Sequence, residues 1–284
     1  MERLLVTGAS GFLGSRIVKH YRAQYEIYAP AHTEMDITDK KSIDAAFYAF
    51  KPHIVIHSAA ISDVEACGRE PESSWKINVD GSGNIAAASA KSGAKCLFCS
   101  SDQLYFGSRE KGLHKEEETV KPANLYGAQK KKAEEECLKV NPNCVVLRLS
   151  WMYDTQTLLA GEHSDFFRTL ISRMQKNVEV LSYPIHDVRG ITDVNEVVCN
   201  LQKAWELKGG IYNFGSTNDK NTYETVFAMF QELGWDTERL ERNEIAFAQN
   251  PRHIAMDPKK LAENGITFLP TLKALVKNAC SISV

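Results

Sequence analysis

An α/β fold built on a doubly wound parallel sheet is the architecture this sequence predicts, and three observations carry it. Short runs apolar on both faces, such as HIVIHSAA (His53–Ala60), alternate with segments of helical periodicity through the first half of the chain. Strands of that kind belong to parallel sheets covered on both sides. The first strand ends in a glycine loop that opens a helix, TGASGFLG (Thr7–Gly14). After Trp151 the alternation loosens, which predicts a smaller mixed α/β lobe.

The elements follow in order. RLLVT (Arg3–Thr7) is the first strand, and Phe12, Leu13, Ile17, Val18 and Tyr21 then recur at helical spacing. YEIYA (Tyr25–Ala29) is a strand, and Asp39 starts a helix with Ile43, Ala46, Phe47 and Phe50 on one face. After HIVIHSAA, Pro71 opens a helix expected to run to about Ser92, since proline is tolerated in a first turn. KCLFCSS (Lys95–Ser101) is the next strand, a helix holds Tyr126, and CVVLRLSWMY (Cys144–Tyr153) reads as one strand. Beyond it, Asp165–Asn177 and Asp193–Lys208 read as helices, the second closed by Gly209 and Gly210. IYNF is a short strand, Thr222–Gly234 a helix, and Asn243–Pro258 irregular. The expected division is 1–151 for a dinucleotide-binding domain and 152–284 for a substrate-binding lobe, with the chain crossing back to the first domain.

The chain has 284 residues, 43% hydrophobic and 25% charged, with a formal net charge of -2 and a pI near 6.5. That composition is globular, and no basic block invites nucleic acid or an anionic membrane. The lysines of KKKAEEE are cancelled by the glutamates that follow. The start, MERLLVTGAS, leaves no room for a signal peptide, and no apolar run approaches the ~18 residues of a membrane span. Seven cysteines are scattered without a secreted framework. Cys96 and Cys99 form a CxxC, but on a strand, where positions three apart point to opposite faces. They are expected to be buried apolar residues, and the chain to be cytoplasmic.

The glycines of TGASGFLG are spaced GxxGxxG. Such a loop lets the backbone approach a pyrophosphate, while the helix start offers free N–H groups and a positive dipole. A dinucleotide is therefore the expected cofactor. An acid at the tip of the second strand would hold the adenosine ribose and repel a 2′-phosphate. That tip reads YAPAH (Tyr28–His32), with no acid, while Arg16 and His32 could meet a phosphate. NADP(H) is accordingly expected in preference to NAD(H).

NLYGAQKKKAEEE (Asn124–Glu136) places Tyr126 and Lys130 four apart, on one helical face. Alone the pair is weak. After a strand ending SSD, and downstream of the glycine loop, it reads as an acid beside a cation. The remaining KKAEEE is expected to be solvated surface.

With these motifs the chain resembles the extended short-chain dehydrogenase/reductases and, more narrowly, the dTDP-4-dehydrorhamnose reductase family. Besides TGASGFLG and NLYGAQK, the resemblance rests on MDITD (Met35–Asp39), HSAAISDVEACGREP (His57–Pro71), CSSDQLYFG (Cys99–Gly107) and RLSWMY (Arg148–Tyr153). It implies a Rossmann-type sheet and cofactor contacts at Gly8, Gly11, Phe12, Leu13, Gly14, Asp36, Ile37, Ser58, Ala59 and Ala60, besides Tyr126 and Lys130. It implies a catalytic set of Ser101, Tyr126 and Lys130, and substrate contacts at Ser62, Val64, Gln103 and Trp151. Asn78 matches a helix asparagine read as structural. Departures fall mainly on the substrate side. Gln103 stands where many relatives have tyrosine, Glu65 for aspartate, Gly68 for glutamate, Asp165 for asparagine, and AQNP (Ala248–Pro251) for A-x-R-P, although Arg252 follows.

The implied reaction is NAD(P)H-dependent reduction of a 4-keto nucleotide sugar, with dTDP-4-dehydrorhamnose leading. A cation near Tyr126 is expected to lower its pKa, and Ser101 to share the carbonyl oxygen. A nucleotide-sugar epimerase or dehydratase is the alternative, as is a non-catalytic subunit resembling the methionine adenosyltransferase regulatory subunit. A homodimer is compatible with either. Trp151 reads as a sugar platform or as core. His57 and His186 are left structural, and His163 with Asp165 lacks a third metal ligand.

Overall fold

A computed structural model of the protein describes residues 1–282 other than 109, 111, 161, 163 and 177. His163 and Asn177 therefore lie outside the described residues.

In chain order the first elements are β1 (Arg3–Thr7), α1 (Phe12–Tyr21), β2 (Glu26–Tyr28), α2 (Lys40–Phe50), β3 (Ile54–His57), α3 (Val64–Arg69), α4 (Pro71–Trp75), α5 (Ser82–Ser92), β4 (Lys95–Ser101) and α6 (Leu125–Val140). Then come β5 (Val145–Leu149), β6 (Trp151–Tyr153), α7 (Phe166–Gln175), β7 (Leu181–Pro184), β8 (Asp187–Val188), β9 (Ile191–Asp193), α8 (Val194–Ala204) and β10 (Gly210–Phe214). The last are α9 (Thr222–Leu233), β11 (Leu240–Asn243), β12 (Arg252–His253), α10 (Lys259–Ala262) and α11 (Thr271–Ala279).

The chain divides into two compact units. The first holds Met1–Leu104, Pro122–Arg148 and Val198–Tyr212; the second holds Tyr105–Lys121, Leu149–Val197 and Asn213–Val284. The six-stranded sheet runs β10-β5-β4-β3-β1-β2, with β2, β1, β3 and β4 paired in parallel. The fold class is thus the α/β, parallel-sheet architecture expected from the alternating runs. Because β2 lies on one side of β1 and β3 on the other, the strand order reverses at β1. Ligands of such sheets bind beyond the carboxyl ends of the strands at that switch point, where Thr7 and Ser58 lie. Buried Leu5, Val55, Ile43, Phe47 and Ile85 fill the layer between this sheet and α2 and α5.

The long helix expected from Pro71 to Ser92 is broken. Lys76–Gly81 forms a π turn between α4 and α5, a feature that inserts one residue and re-aims its side chains. The expected single strand Cys144–Tyr153 is also broken, at Ser150: β5 stays in the main sheet, and β6 pairs β9. Gly190 and Gly215 pack on Ser150, where a Cβ at Gly215 would fall 2.1 Å from its Oγ. The sequence reading missed α3, α10 and α11.

The second unit has its own core around Phe167, Leu170, Ile191, Val226, Phe230 and Leu275, each at most 1% exposed. Its α9 begins with a capping box: Asn221 accepts from Glu224 N–H, and the Glu224 carboxylate accepts from Asn221 N–H. All seven cysteines are free thiols, and Cys96 and Cys99 are both buried. Among the described residues no helix is long and apolar enough to cross a membrane.

Candidate active site

The glycine loop has a geometry that side chains would block. Gly8 sits at φ +70, and a Cβ there would lie 2.6 Å from Ala59 N. A Cβ on Gly14 would lie 2.1 Å from the Gly8 carbonyl oxygen. Both glycines let backbones meet, so α1 starts tight against the loop and the segment after β3 closes over it. Ser58 Oγ donates to Thr7 O at 2.7 Å, joining that segment to β1. Gly11 is the cap of α1 and supplies no side chain, so first-turn N–H groups remain available to an anion. Of the neighbouring expected positions, Leu13 is buried, Phe12, Ala59 and Ala60 are half-buried, and Ser62 and Val64 are exposed.

Asp36 and Ile37 follow β2. The Asp36 carboxylate accepts from Thr38 N–H and Thr38 Oγ1, both at 2.8 Å. These bonds hold its pKa below the usual carboxylate value. Arg16 does not reach outward from α1. It is 4% exposed, its Nη1 donates to Phe12 O at 3.0 Å, and its guanidinium carbon lies 4.0 Å from the Phe12 ring centre. His32 is exposed.

Ser101, Tyr126 and Lys130 are brought together by β4 and α6. Asn124 caps α6 through its side chain, which accepts from Gly127 N–H at 2.7 Å and contributes ~1 kcal/mol. A Cβ at Gly127 would lie 2.5 Å from Gln103 O, so this glycine lets the first turn of α6 press on the backbone just after Ser101. Ser101 stands close enough to the Tyr126 phenol to act on its titration. Its Oγ accepts from Gln103 N–H at 3.2 Å and donates to Asp102 Oδ1 at 3.4 Å. Lys130 Nζ donates to Cys99 O at 2.8 Å and stands 5.9 Å from the Tyr126 ring centre.

Burial dominates the titration of both groups. It pushes the Tyr126 phenol above its ordinary range, with Ser101 acting in the opposite sense. This reverses the lowering expected from a lysine alongside, because the ammonium is turned to the Cys99 carbonyl. Burial pushes Lys130 down to about 8, so it is mostly charged at neutral pH.

A second set of buried polar groups supports this site. Asn78, in the π turn, clamps Ile61: its Oδ1 accepts from Ile61 N–H at 2.8 Å and its Nδ2 donates to Ile61 O at 2.9 Å. Nδ2 also donates to Gln129 Oε1 at 2.8 Å, and Gln129 Nε2 donates to Ser74 Oγ at 2.8 Å. Gln129 precedes Lys130 and was not singled out from the sequence. His57 bonds Thr7 Oγ1 at 2.7 Å and Ser82 Oγ at 3.0 Å. Burial holds its pKa down to about 3, so it is a neutral strut, in keeping with its structural reading.

The substrate-side positions divide. Gln103 lies in the first unit, and its Oε1 accepts from Asn124 Nδ2 at 3.1 Å. In the second unit Trp151 is half-buried. The Arg189 guanidinium carbon lies 4.5 Å from its ring centre and Phe166 packs at 5.2 Å. Asp165 caps α7 and pairs Arg168 at 2.8 Å. Arg252 is bound to buried Asp187 by two bonds of 2.7 Å, and Asn250 is exposed. Nothing lies within 4 Å of a Cβ built on Gly68, so its backbone does not demand glycine. A cavity of about 810 Å³ opens elsewhere in the first unit over Ile43, Trp75, Ala87 and Val140, and neither the triad nor the glycine loop lines it.

The family profile described as RmlD substrate binding domain matches residues 1–283. The chain belongs to that family. A dTDP-4-dehydrorhamnose reductase of Aggregatibacter actinomycetemcomitans is 30% identical over 241 residues, 82% of this chain and 79% of that one. The methionine adenosyltransferase 2 subunit beta of Bos taurus is 25% identical over 280 residues, 93% of this chain and 83% of that one. Among solved structures, a dTDP-4-dehydrorhamnose reductase of Bacillus anthracis in complex with NADP superposes with a TM-score of 0.85 at 25% identity, covering 99% of this chain and 98% of that one. The chain is therefore similar both to relatives named as reductases and to one named as a subunit of another enzyme.

Proposed function

We propose that this protein is an NAD(P)H-dependent oxidoreductase that reduces a 4-keto nucleotide sugar, dTDP-4-dehydrorhamnose to dTDP-rhamnose being the leading case. The observation that carries the reading is that Tyr126 and Lys130, on one face of α6, meet Ser101 at the end of β4. The glycine loop fits a dinucleotide: Gly8 and Gly14 let the loop fold tightly where a Cβ would collide with Ala59 N and Gly8 O, and the start of α1 has no side-chain cap. Gly8, Gly11 and Gly14 would hold its pyrophosphate, Asp36 and Ile37 its adenine, and Ser58–Ala60 its ribose. A bound reduced nicotinamide supplies a hydride to the carbonyl carbon.

The side chains do the rest. Tyr126 donates its phenolic proton to the carbonyl oxygen, and Ser101 shares that oxygen as charge develops. Lys130, charged at neutral pH and 5.9 Å from the Tyr126 ring centre, would stabilise the phenolate that remains on turning to it from the Cys99 carbonyl. Ser62, Val64, Gln103 and Trp151 line the sugar, and the second unit serves as the substrate-binding lobe. NADP(H) is preferred over NAD(H), supported by the acid-free Tyr28–His32 segment and exposed His32; Arg16, folded on Phe12, lends no support. Five buried free cysteines support a reducing compartment, the cytoplasm.

The test is incubation with the ketosugar and each reduced cofactor, following cofactor absorbance and product. Cofactor consumed in proportion to reduced sugar is the expected result, faster and at lower KM with NADPH. Isomerised sugar without net cofactor use would make the protein an epimerase. The similarity to methionine adenosyltransferase 2 subunit beta favours a second reading, a dinucleotide-binding subunit, and saturable cofactor binding with no turnover on a ketosugar panel would support it.

A further inference from the structure

Two consecutive residues of β4 bond two residues of α6 spaced four apart. Cys99 O accepts from Lys130 Nζ at 2.8 Å and Ser100 Oγ donates to Glu134 Oε1 at 2.5 Å, while the next strand residue, Ser101, acts on Tyr126. Tyr126, Lys130 and Glu134 form one stripe along the helix. Glu134 was expected in solvent with the rest of KKAEEE, yet its side chain is 3% exposed. Its carboxylate also receives Arg148 from β5, through Nη2 at 2.7 Å and Nε at 3.1 Å. The Arg148 side chain is 4% exposed. A buried pair of this kind contributes little net stability, because desolvating two charges offsets their attraction. What it can supply is a fixed register and a fixed field.

We propose that Glu134, oriented by Arg148 and Ser100, is a positioning residue of the catalytic site: it sets the register of α6 on β4 and holds a negative charge one turn from the Lys130 ammonium. This rests on the catalytic reading of Tyr126 and Lys130. Cys99 from β4, Cys67 from α3, His57 from β3 and Tyr126 from α6 stand around Lys130, and burial keeps each of them in its neutral form near pH 7. Glu134 is the carboxylate among the groups acting on it, and it raises the Lys130 pKa against the stronger effect of burial. Without that charge, the ammonium beside Tyr126 loses its proton at lower pH. Arg148, left without its anion, pushes in the same direction.

The experiment compares wild type with Glu134→Gln, Ser100→Ala and the double variant Glu134→Gln/Arg148→Met. The first reading needs no substrate: the Lys130 side-chain carbon is followed by NMR against pH in the cofactor-free protein and assigned by its loss in Lys130→Met. In Glu134→Gln the Lys130 midpoint should fall by about one unit, the scale of one nearby charge, and the double variant should recover part of the shift. With ketosugar, the alkaline limb of kcat should move down with the NMR midpoint, while dinucleotide affinity changes less than about threefold. Ser100→Ala, which removes one hydrogen bond and keeps both charges, should lower kcat several-fold with the Lys130 midpoint in place. An unchanged midpoint in Glu134→Gln, or wild-type kcat in Ser100→Ala, overturns the proposal. If Glu134→Gln does not fold, Glu134→Asp keeps the charge and shortens the reach; a wild-type kcat and pH profile in it would likewise overturn the assignment. Absence of any turnover in wild type, with the midpoint shift intact, would instead count against the reductase reading alone.

Discussion

The two units put their buried charged groups to different uses. In the first, a lysine and a glutamate lie on the same face of α6 as a buried tyrosine, and their partners are the last residues of β4 and an arginine of β5. In the second, Asp165 caps α7 while pairing Arg168, and Asp187 holds Arg252 beside Thr222. The first arrangement leaves groups whose titration bears on a proton transfer. The second neutralises charge to hold short elements together. The positions that depart from the family pattern include Asp165 and the Asn250–Arg252 stretch of the second unit, and there the structure shows caps and clamps. The proposed proton transfer rests on groups of the first unit, while the departures from the family pattern fall in both: Glu65, Gly68 and Gln103 in the first, Asp165 and Asn250 in the second.

The sharpest way to break this contrast is Tyr126→Phe. The change removes one hydroxyl from a buried ring and leaves the helix cap and Gln129 bonds intact. Turnover on the ketosugar should fall at least ~10²-fold, the scale of a lost general acid, with dinucleotide binding within about twofold. Steady-state kinetics with calorimetric titration of the cofactor decides it. Equal turnover in both proteins would remove Tyr126 from the mechanism.

Arg252→Gln probes the other side. Asp187 is 2% exposed at its side chain and would lose its cation while keeping Thr222. Removing one partner of a buried pair is costly, and with Arg252 partly exposed the loss should be about 2 kcal/mol, roughly 5 °C in Tm. The KM for ketosugar should change less than about threefold. A tenfold rise in KM at unchanged Tm would mean that Arg252 serves the substrate, and the contrast between units would fail there.

What was legible in the sequence was local. The glycine loop, the Tyr126/Lys130 pair and the Asp39 cap each depend on residues within one turn or one loop, so spacing alone exposes them. The parallel sheet was legible because its strands are apolar on both faces. The rest needed distant partners. Nothing near Glu134 reveals that Arg148 sits above it on another strand, and amid KKAEEE it reads as solvent-facing. The break in the helix at Lys76–Gly81 follows from Asn78 reaching Ile61 and Gln129, contacts with no trace in helical periodicity. The break at Ser150 is similar. The run VVLRLSWMY is continuously apolar apart from Arg148 and Ser150, and the strand changes partners because Gly190 and Gly215 pack on Ser150 and Thr192 bonds it.

Trp151 gives the smallest expected effect and the finest test of the contrast, because the sequence left it between core and sugar platform. Its ring meets the Arg189 guanidinium and packs against Phe166 at the edge of the second core. Trp151→Phe keeps an aromatic ring against Phe166 and removes the indole N–H and the outer part of the surface. If the outer ring lines the sugar, KM for the ketosugar should rise roughly three- to tenfold, the range of about 1 kcal/mol of lost contact. In that case kcat stays within about twofold and Tm within about 2 °C of wild type. If the residue is core alone, the smaller ring leaves a void costing on the order of 1–2 kcal/mol, so Tm falls and KM does not move. Thermal unfolding and KM measured on the same preparation separate the two. A drop in Tm at constant KM would assign Trp151 to the structural behaviour of its unit, and the sugar contacts would then have to come from Ser62, Val64 and Gln103 of the first.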